Sequence, residues 1–161
     1  MPEPHPSGLT DLQRLVEIEA IRMLKARRIR ALDEHTWDVY EALHAPDYYA
    51  DNEGEPPVHG SAANAARLKK LYDAVGMVSA HHVHSHEIEL LSPTTATGVW
   101  AMEDRLYWTH AGREHWLHGT GFYHETYEKR DGTWLFTTRR LRRTRQVVSE
   151  GAAMPGHSFG K

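Results

Sequence analysis

Cysteine is absent from the 161 residues, which removes disulfides, thiolate nucleophiles and cysteine-held metals in one step. Any metal would rest on histidine and carboxylate ligands. No eighteen apolar residues run together, so no membrane-spanning helix is expected. The N-terminal MPEPHPSG has neither the basic start nor the apolar stretch of an export signal. An excess of one charge is also missing: 19 Lys plus Arg against 22 Asp plus Glu leave a net charge of −3, too little to draw the chain to nucleic acid or an anionic membrane by its global field. No repeat or low-complexity array occurs. These absences predict a cytoplasmic, single-domain protein that engages neither nucleic acid nor membrane, with enough chain for a real core.

What is present changes character along the chain. Residues 1–8 are rich in proline and read as disordered, residues 9–147 as one domain, and residues 148–161 as an extended tail. Thr10 and Asp11 offer an N-cap for the helix DLQRLVEIEAIRMLKARRIRAL, whose apolar positions Leu12, Leu15, Ile18, Ile21, Leu24 and Leu32 recur at helical spacing. Arg28 interrupts that stripe. Thr36 caps a second short helix, WDVYEALH, closed by Pro46. PDYYADNEGEPPVHG has turn composition with a short strand at most, and Ser61 caps a third helix, AANAARLKKLYDA, stopped by Gly76. From residue 81 the period becomes two, and four runs separated by short turns predict an antiparallel meander. Helices followed by strands give an α+β class, with three N-terminal helices packed on one face of a curved sheet.

Several residues break their local pattern. A guanidinium cannot shed its charge, so Arg28 on a buried stripe calls for an anion, a ligand, or a route for its head to solvent. Asp33 ends the first helix, where the macrodipole disfavours a carboxylate by roughly 0.3–1 kcal/mol, so a cationic or hydrogen-bonding partner is expected. In ATGVWAMEDRLYW, alternation puts Trp100, Met102, Asp104, Leu106 and Trp108 on one face, and Asp104 is the lone acid among large apolar groups. Trp100 and Met102, with Tyr48, Tyr49 and Tyr123, are candidates to line a substrate cavity.

The stretch HHVHSH packs four histidines into six positions. Alternation places His82, His84 and His86 on the face of Ile88 and Leu90, with His81 on the other. Three readings compete: a zinc site on the alternating trio, one catalytic histidine among solvated neighbours, or no function. Nothing in the spacing demands a metal or a cofactor, and none is assigned. RRLRRTR holds five arginines in seven residues, but alternation divides them between the two faces of a strand, a poor phosphate track.

The segments IEAIRMLKARRIRALDEHTWDVYEAL, HSHEIEL, SPTTATGVWAMEDRLYW and FYHETYEKRDGTW resemble the SnoaL-like branch of the nuclear transport factor 2-like superfamily, and within it the bile-acid 7α-dehydratase type, over roughly residues 12 to 145. The resemblance implies a cone of helices folded on a strongly curved, mainly antiparallel sheet around an apolar pocket, in a homodimer or homotrimer. It also implies a cofactor-independent lyase or isomerase acting on a hydrophobic polycyclic substrate such as a steroid or polyketide. Carried over by position, the dehydratase's catalytic residues fall on Asp33, His84, Asp104 and Arg143. Its tyrosine five residues before the aspartate is replaced here by Arg28, closer to the cation that related hexachlorocyclohexane dehydrochlorinases often place there. His84 is then the general base, Asp33 its tether, Asp104 a neutral acid donating to the leaving group, and Arg28 and Arg143 the groups that stabilise a departing anion. Tyr48, Tyr49 or Tyr123 would replace the absent phenol. The rival readings are a small-molecule-binding domain without catalysis and a metal-dependent hydrolase built on His82, His84 and His86.

Overall fold

A computed structural model describes residues 6–154. Helix α1 runs Asp11–Asp33 and opens on a capping box, in which the Gln13 backbone N–H donates to the Thr10 hydroxyl and the Thr10 N–H to the Gln13 side chain. Its buried stripe is Ile21, Leu24, Lys25, Arg28, Ala31 and Leu32, so two cations rather than one lie on the core face. The helix ends without glycine. His35 takes a left-handed φ of 57°, its N–H donates to the Leu32 carbonyl, and the Thr36 N–H reaches back to the Ala31 carbonyl. This pair of bonds satisfies the last carbonyls and leaves Asp33 as the final helical residue. Helix α2 follows at Trp37–Ala42 and α3 at Ser61–Val75, the latter stopped by Gly76 at φ 59°.

The sheet has six strands: β1 His44–Asn52, β2 Val58–His59, β3 Val78–Leu90, β4 Thr95–His110, β5 Arg113–Arg130 and β6 Thr133–Val148, in the spatial order β2-β1-β6-β5-β4-β3. The last four form the expected antiparallel meander. The two additions run into PDYYADNEGEPPVHG, whose polar and Pro-containing composition hides most of a nine-residue strand that begins at His44, where the second helix, which ends at Ala42, is expected to continue. β1 pairs parallel to β6, a partner some ninety residues away that local composition does not reveal.

Three bulges, one in β3 and two in β6, decide which side chains enter the cone. Between His84 and Glu87 the β3 ladder shifts register, with Ser85 at φ 43°. Such an extra residue inverts the alternation beyond it. Ser79, His81 and Val83 face inward before the shift, and His86, Ile88 and Leu90 after it. On β6 a shift opposite Thr126 and Tyr127 carries the inward parity from Trp134 and Phe136 to Arg139, Leu141 and Arg143, and another opposite Thr120 and Gly121 sends Arg145 to the exposed surface. The core divides into a region under α2 and α3 around Tyr72 and Trp108, and one under α1 around Tyr48, Tyr127 and Phe136. Met154 packs in the first, and the Trp108 indole N–H donates to the Ala153 carbonyl, so the described part of the C-terminal segment lies against the domain. Among the described residues no helix is long and apolar enough to cross a membrane.

Candidate active site

The cone holds a cavity of about 90 Å³. Leu32, Leu68, Leu71, Tyr72, Met77 and Met154, packed together, form an apolar wall, and Arg28, His81, Asp104, Arg139 and Arg143 also line the cavity. The wall is apolar as expected; the rest of the lining is charged.

Asp33 lies behind His81. Its Oδ1 is 2.6 Å from Nδ1 of His81, its Oδ2 accepts the His81 backbone N–H at 2.9 Å, and the Ser79 hydroxyl donates to Oδ1 at 2.8 Å. The Tyr72 hydroxyl extends the chain to Ser79. Burial opposes ionisation of Asp33, yet the His81 and Ser79 hydrogen bonds together hold its carboxyl below its ordinary value. With Nδ1 engaged, Nε2 of His81 has no hydrogen-bond partner among the described residues and is the nitrogen left to a ligand.

The expected tether between Asp33 and His84 is therefore not formed; His81 takes that place. His84 sits before the bulge on the outward parity and is exposed, as is His82. The alternating trio is split as well, because His86 follows the bulge and faces inward, its ring 5.0 Å from that of Trp100. Among the described residues no three His, Cys, Asp or Glu side chains converge as metal ligands.

Directly across the ladder from His81 is Asp104, opposite Asp104 is Gly119, and beyond it Arg143 reaches back over the glycine. Arg143 Nη1 and Nη2 donate to the two Asp104 oxygens at 3.0 and 2.7 Å. The expected role of Asp104 as a neutral proton donor does not fit this geometry: both oxygens accept from a group that has only donors. Gly119 makes the crossing possible, since a Cβ there would lie 1.9 Å from Arg143 Nη1 and 2.5 Å from Asp104 Oδ1.

Arg28 is buried at 1 % exposure, as the sequence pattern predicts, but among the described residues no carboxylate hydrogen-bonds to it. Its Nε donates to His44 at 3.1 Å and its Nη2 to the Tyr40 hydroxyl at 2.7 Å. Burial and the adjacent Arg28 push the His44 imidazole well below its ordinary value, so it serves as a neutral acceptor at Nε2 while Nδ1–H donates to the Tyr40 carbonyl. Tyr40, on α2, was no candidate, yet its phenol stands beside Arg28 in the cavity.

Of the expected substrate contacts, Tyr123 lines the cavity. Tyr48 is wholly buried behind it, its hydroxyl accepting from Arg139. Tyr49 points outward against the His59 ring. Trp100 and Met102 do face inward but pack in the core with Tyr123 and Leu141, Trp100 beside a buried ion pair that the pattern did not disclose. Lys25 Nζ meets Glu125 Oε1 at 2.5 Å with neither side chain exposed. Glu125 also accepts from the Tyr127 hydroxyl, which accepts from the Trp100 indole. Lys25 sits 4.1 Å from the Tyr123 ring centroid. Burial, opposed by Glu125 and reinforced by Arg28, pulls the Lys25 ammonium down to about 7.

A family model described as the SnoaL-like domain matches residues 13–140. Among solved structures, a hexachlorocyclohexane dehydrochlorinase (LinA) of type 2 is 20% identical with a TM-score of 0.77, covering 91% of this chain and 99% of its own. A protein from Novosphingobium aromaticivorans assigned as a scytalone dehydratase is 22% identical with a TM-score of 0.76, covering 94% of this chain and 99% of its own. A LinA-type3 dehydrochlorinase from Novosphingobium barchaimii is 19% identical with a TM-score of 0.76, covering 94% of this chain and 100% of its own. At these identities the likeness is one of fold. The family model spans most of the chain and the cone is shared with all three structures, so the chain belongs to the SnoaL-like family of the nuclear transport factor 2-like superfamily.

Proposed function

We propose that the cavity is the site of a cofactor-independent elimination, a dehydration or dehydrohalogenation, with His81 as the general base. The observation that carries this reading is the Asp33–His81 contact at 2.6 Å in a cavity wall, with Nε2 unengaged. Asp33 keeps the proton on Nδ1, which leaves the Nε2 lone pair to take a proton from a substrate carbon, and it stabilises the imidazolium that results. The C–H electron pair becomes the new carbon–carbon π bond, and the leaving group departs with its own bonding pair. A halide leaves as the anion; a hydroxyl takes the proton back from His81 and leaves as water. Arg28, whose Nη1 is buried without a partner, adds positive potential to the cavity in which the negative charge develops. The named activities of two neighbours, a dehydrochlorinase and an assigned dehydratase, are both eliminations and support the class.

The cavity bears on substrate size. Sites that engulf drug-sized ligands measure roughly 300–1,000 Å³, against about 90 Å³ here, which favours a single-ring substrate over a fused-ring steroid. The test is turnover of a panel of halogenated and hydroxylated single-ring and fused-ring compounds by the native protein, His81→Ala and His84→Ala, with thermal unfolding followed alongside. A base of this kind contributes roughly 10²–10⁴ in rate, so His81→Ala loses that factor and His84→Ala does not. Full turnover by a folded His81→Ala protein refutes the assignment.

A further inference from the structure

Two guanidiniums line the cavity without an ion-pair partner among the described residues. Arg28 donates only to neutral partners, the His44 ring and the Tyr40 hydroxyl, and its Nη1 is buried with no partner. Arg139, 6 % exposed, makes one side-chain hydrogen bond among the described residues, from Nε to the Tyr48 hydroxyl at 3.3 Å, and its guanidinium lies 5.1 Å from the Tyr123 ring centroid. Neither has an ion pair among the described residues.

The acids around them are engaged elsewhere. Both oxygens of Asp104 are held by Arg143, Glu125 by Lys25 and Tyr127, and Glu55 by Arg67 and Asn52. Glu53, exposed at the rim, accepts the Arg143 backbone N–H. Arg28 and Arg139 repel one another across the buried floor, and neither can lose its proton to relieve the strain as a lysine or histidine would. Packing can tolerate one buried guanidinium among phenols and ring faces. Two side by side, with outward donors opening on a cavity, make a receptor for an anion.

We infer that the cavity floor is a carboxylate subsite and that the substrate is a small organic anion, its carboxylate held between Arg28 and Arg139 and its reacting carbon turned toward His81. This rests on reading the cavity as an elimination site. Two oxygens on one planar group answer two separate sets of N–H donors, which a single-atom halide does less well. The subsite also selects orientation: an anionic end anchored at the floor leaves the uncharged end against the leucine and methionine wall.

The experiment is calorimetric titration of the whole protein, in chloride-free buffer at neutral pH, with benzoate, benzamide and sodium chloride. Benzoate and benzamide share size and ring and differ in charge. Benzoate is expected to bind at least tenfold tighter than either benzamide or chloride. Arg139→Gln is expected to lose at least tenfold of that affinity, as is Arg28→Gln, with benzamide binding unchanged. If a glutamine variant fails to fold, the ratio of benzoate to benzamide on the native protein decides. Equal affinity for the two, chloride binding as tight as benzoate, or no benzoate binding at all overturns the subsite. His81→Gln separates this from the elimination reading, because it should keep benzoate affinity within twofold while losing turnover. Charge-selective binding with full turnover in folded His81→Gln sinks the base assignment and leaves the subsite standing. Charge-blind binding with turnover lost in His81→Gln does the reverse.

Discussion

The carboxylate of Asp33, on the last residue of α1, accepts from the imidazole of His81 at 2.6 Å and from the same residue's backbone N–H at 2.9 Å. One acid thus fixes both where the histidine's main chain passes and which nitrogen its ring presents. Replacing Asp33 by asparagine keeps shape but loses the charge that stabilises an imidazolium and lets the ring choose either tautomer. Asp33→Asn should therefore cut turnover much as His81→Ala does, while His84→Ala should not. Steady-state kinetics beside circular dichroism checks both.

The same contact predicts an acid limb of stability. Asp33 titrates lower in the folded than in the unfolded chain, so its contribution is present above the unfolded carboxyl value of roughly 3.9 and is lost as pH falls through the lower folded value. Urea unfolding between pH 2 and 6 should show a shallower acid limb in Asp33→Asn than in the native protein. Parallel curves would refute the linkage.

Gly119→Ala should destabilise, although alanine ordinarily suits a strand better than glycine. The added methyl would overlap Arg143 Nη1 at 1.9 Å and Asp104 Oδ1 at 2.5 Å. Arg143 can swing aside, but Asp104, 3 % exposed, then loses its cation. Leaving one member of a buried pair alone costs about 3–5 kcal/mol; with Arg143 still 16 % exposed, the low end is expected. Arg143→Met should cost a similar amount, and the double variant little more than either alone.

The Lys25–Glu125 pair gives a sharper contrast. Glu125→Gln removes the carboxylate that holds the Lys25 proton in place, so the buried amine sheds its proton more readily and the cost should approach about 3–5 kcal/mol only as pH falls below 7, whereas Lys25→Met with Glu125→Gln should fall near the native value. Because the folded protein releases the Lys25 proton near 7 and the unfolded chain holds it to about 10.4, this lysine makes stability rise with pH between those values. Denaturant midpoints from pH 7 to 9.5 should rise less in the double variant than in the native protein.

Ser85→Gly should stabilise by about 0.5–1 kcal/mol, since the bulge holds a non-glycine residue at φ 43°. Thermal unfolding reads the gain. The inward position of His81 should be unchanged, so turnover should be unchanged.

Much of this arrangement was legible along the chain because it depends on local periodicity. The α1 stripe exposes Arg28 as a cation on a core face, the end of that helix marks Asp33, and the unbroken alternation of β4 puts Asp104 inside with Trp100 and Trp108. Each follows from a period of 3.6 or 2 running without interruption.

Tertiary structure decided the rest wherever the period was broken or the partner was distant. A serine in a left-handed conformation carries no composition signal, yet the bulge it makes in β3 hands the tether from His84 to His81 and divides the histidine trio. Lys25 and Glu125 lie 100 residues apart, and each looks locally like a solvated charge until α1 is laid on the sheet. β1 exists because β6 offers it a parallel edge. The sequence by itself determined the three helices, the four-strand meander, the family and the acid at the helix end; packing across the cone added β1 and chose the histidine that meets that acid, because a side chain's facing depends on register and register is settled only when strands pair.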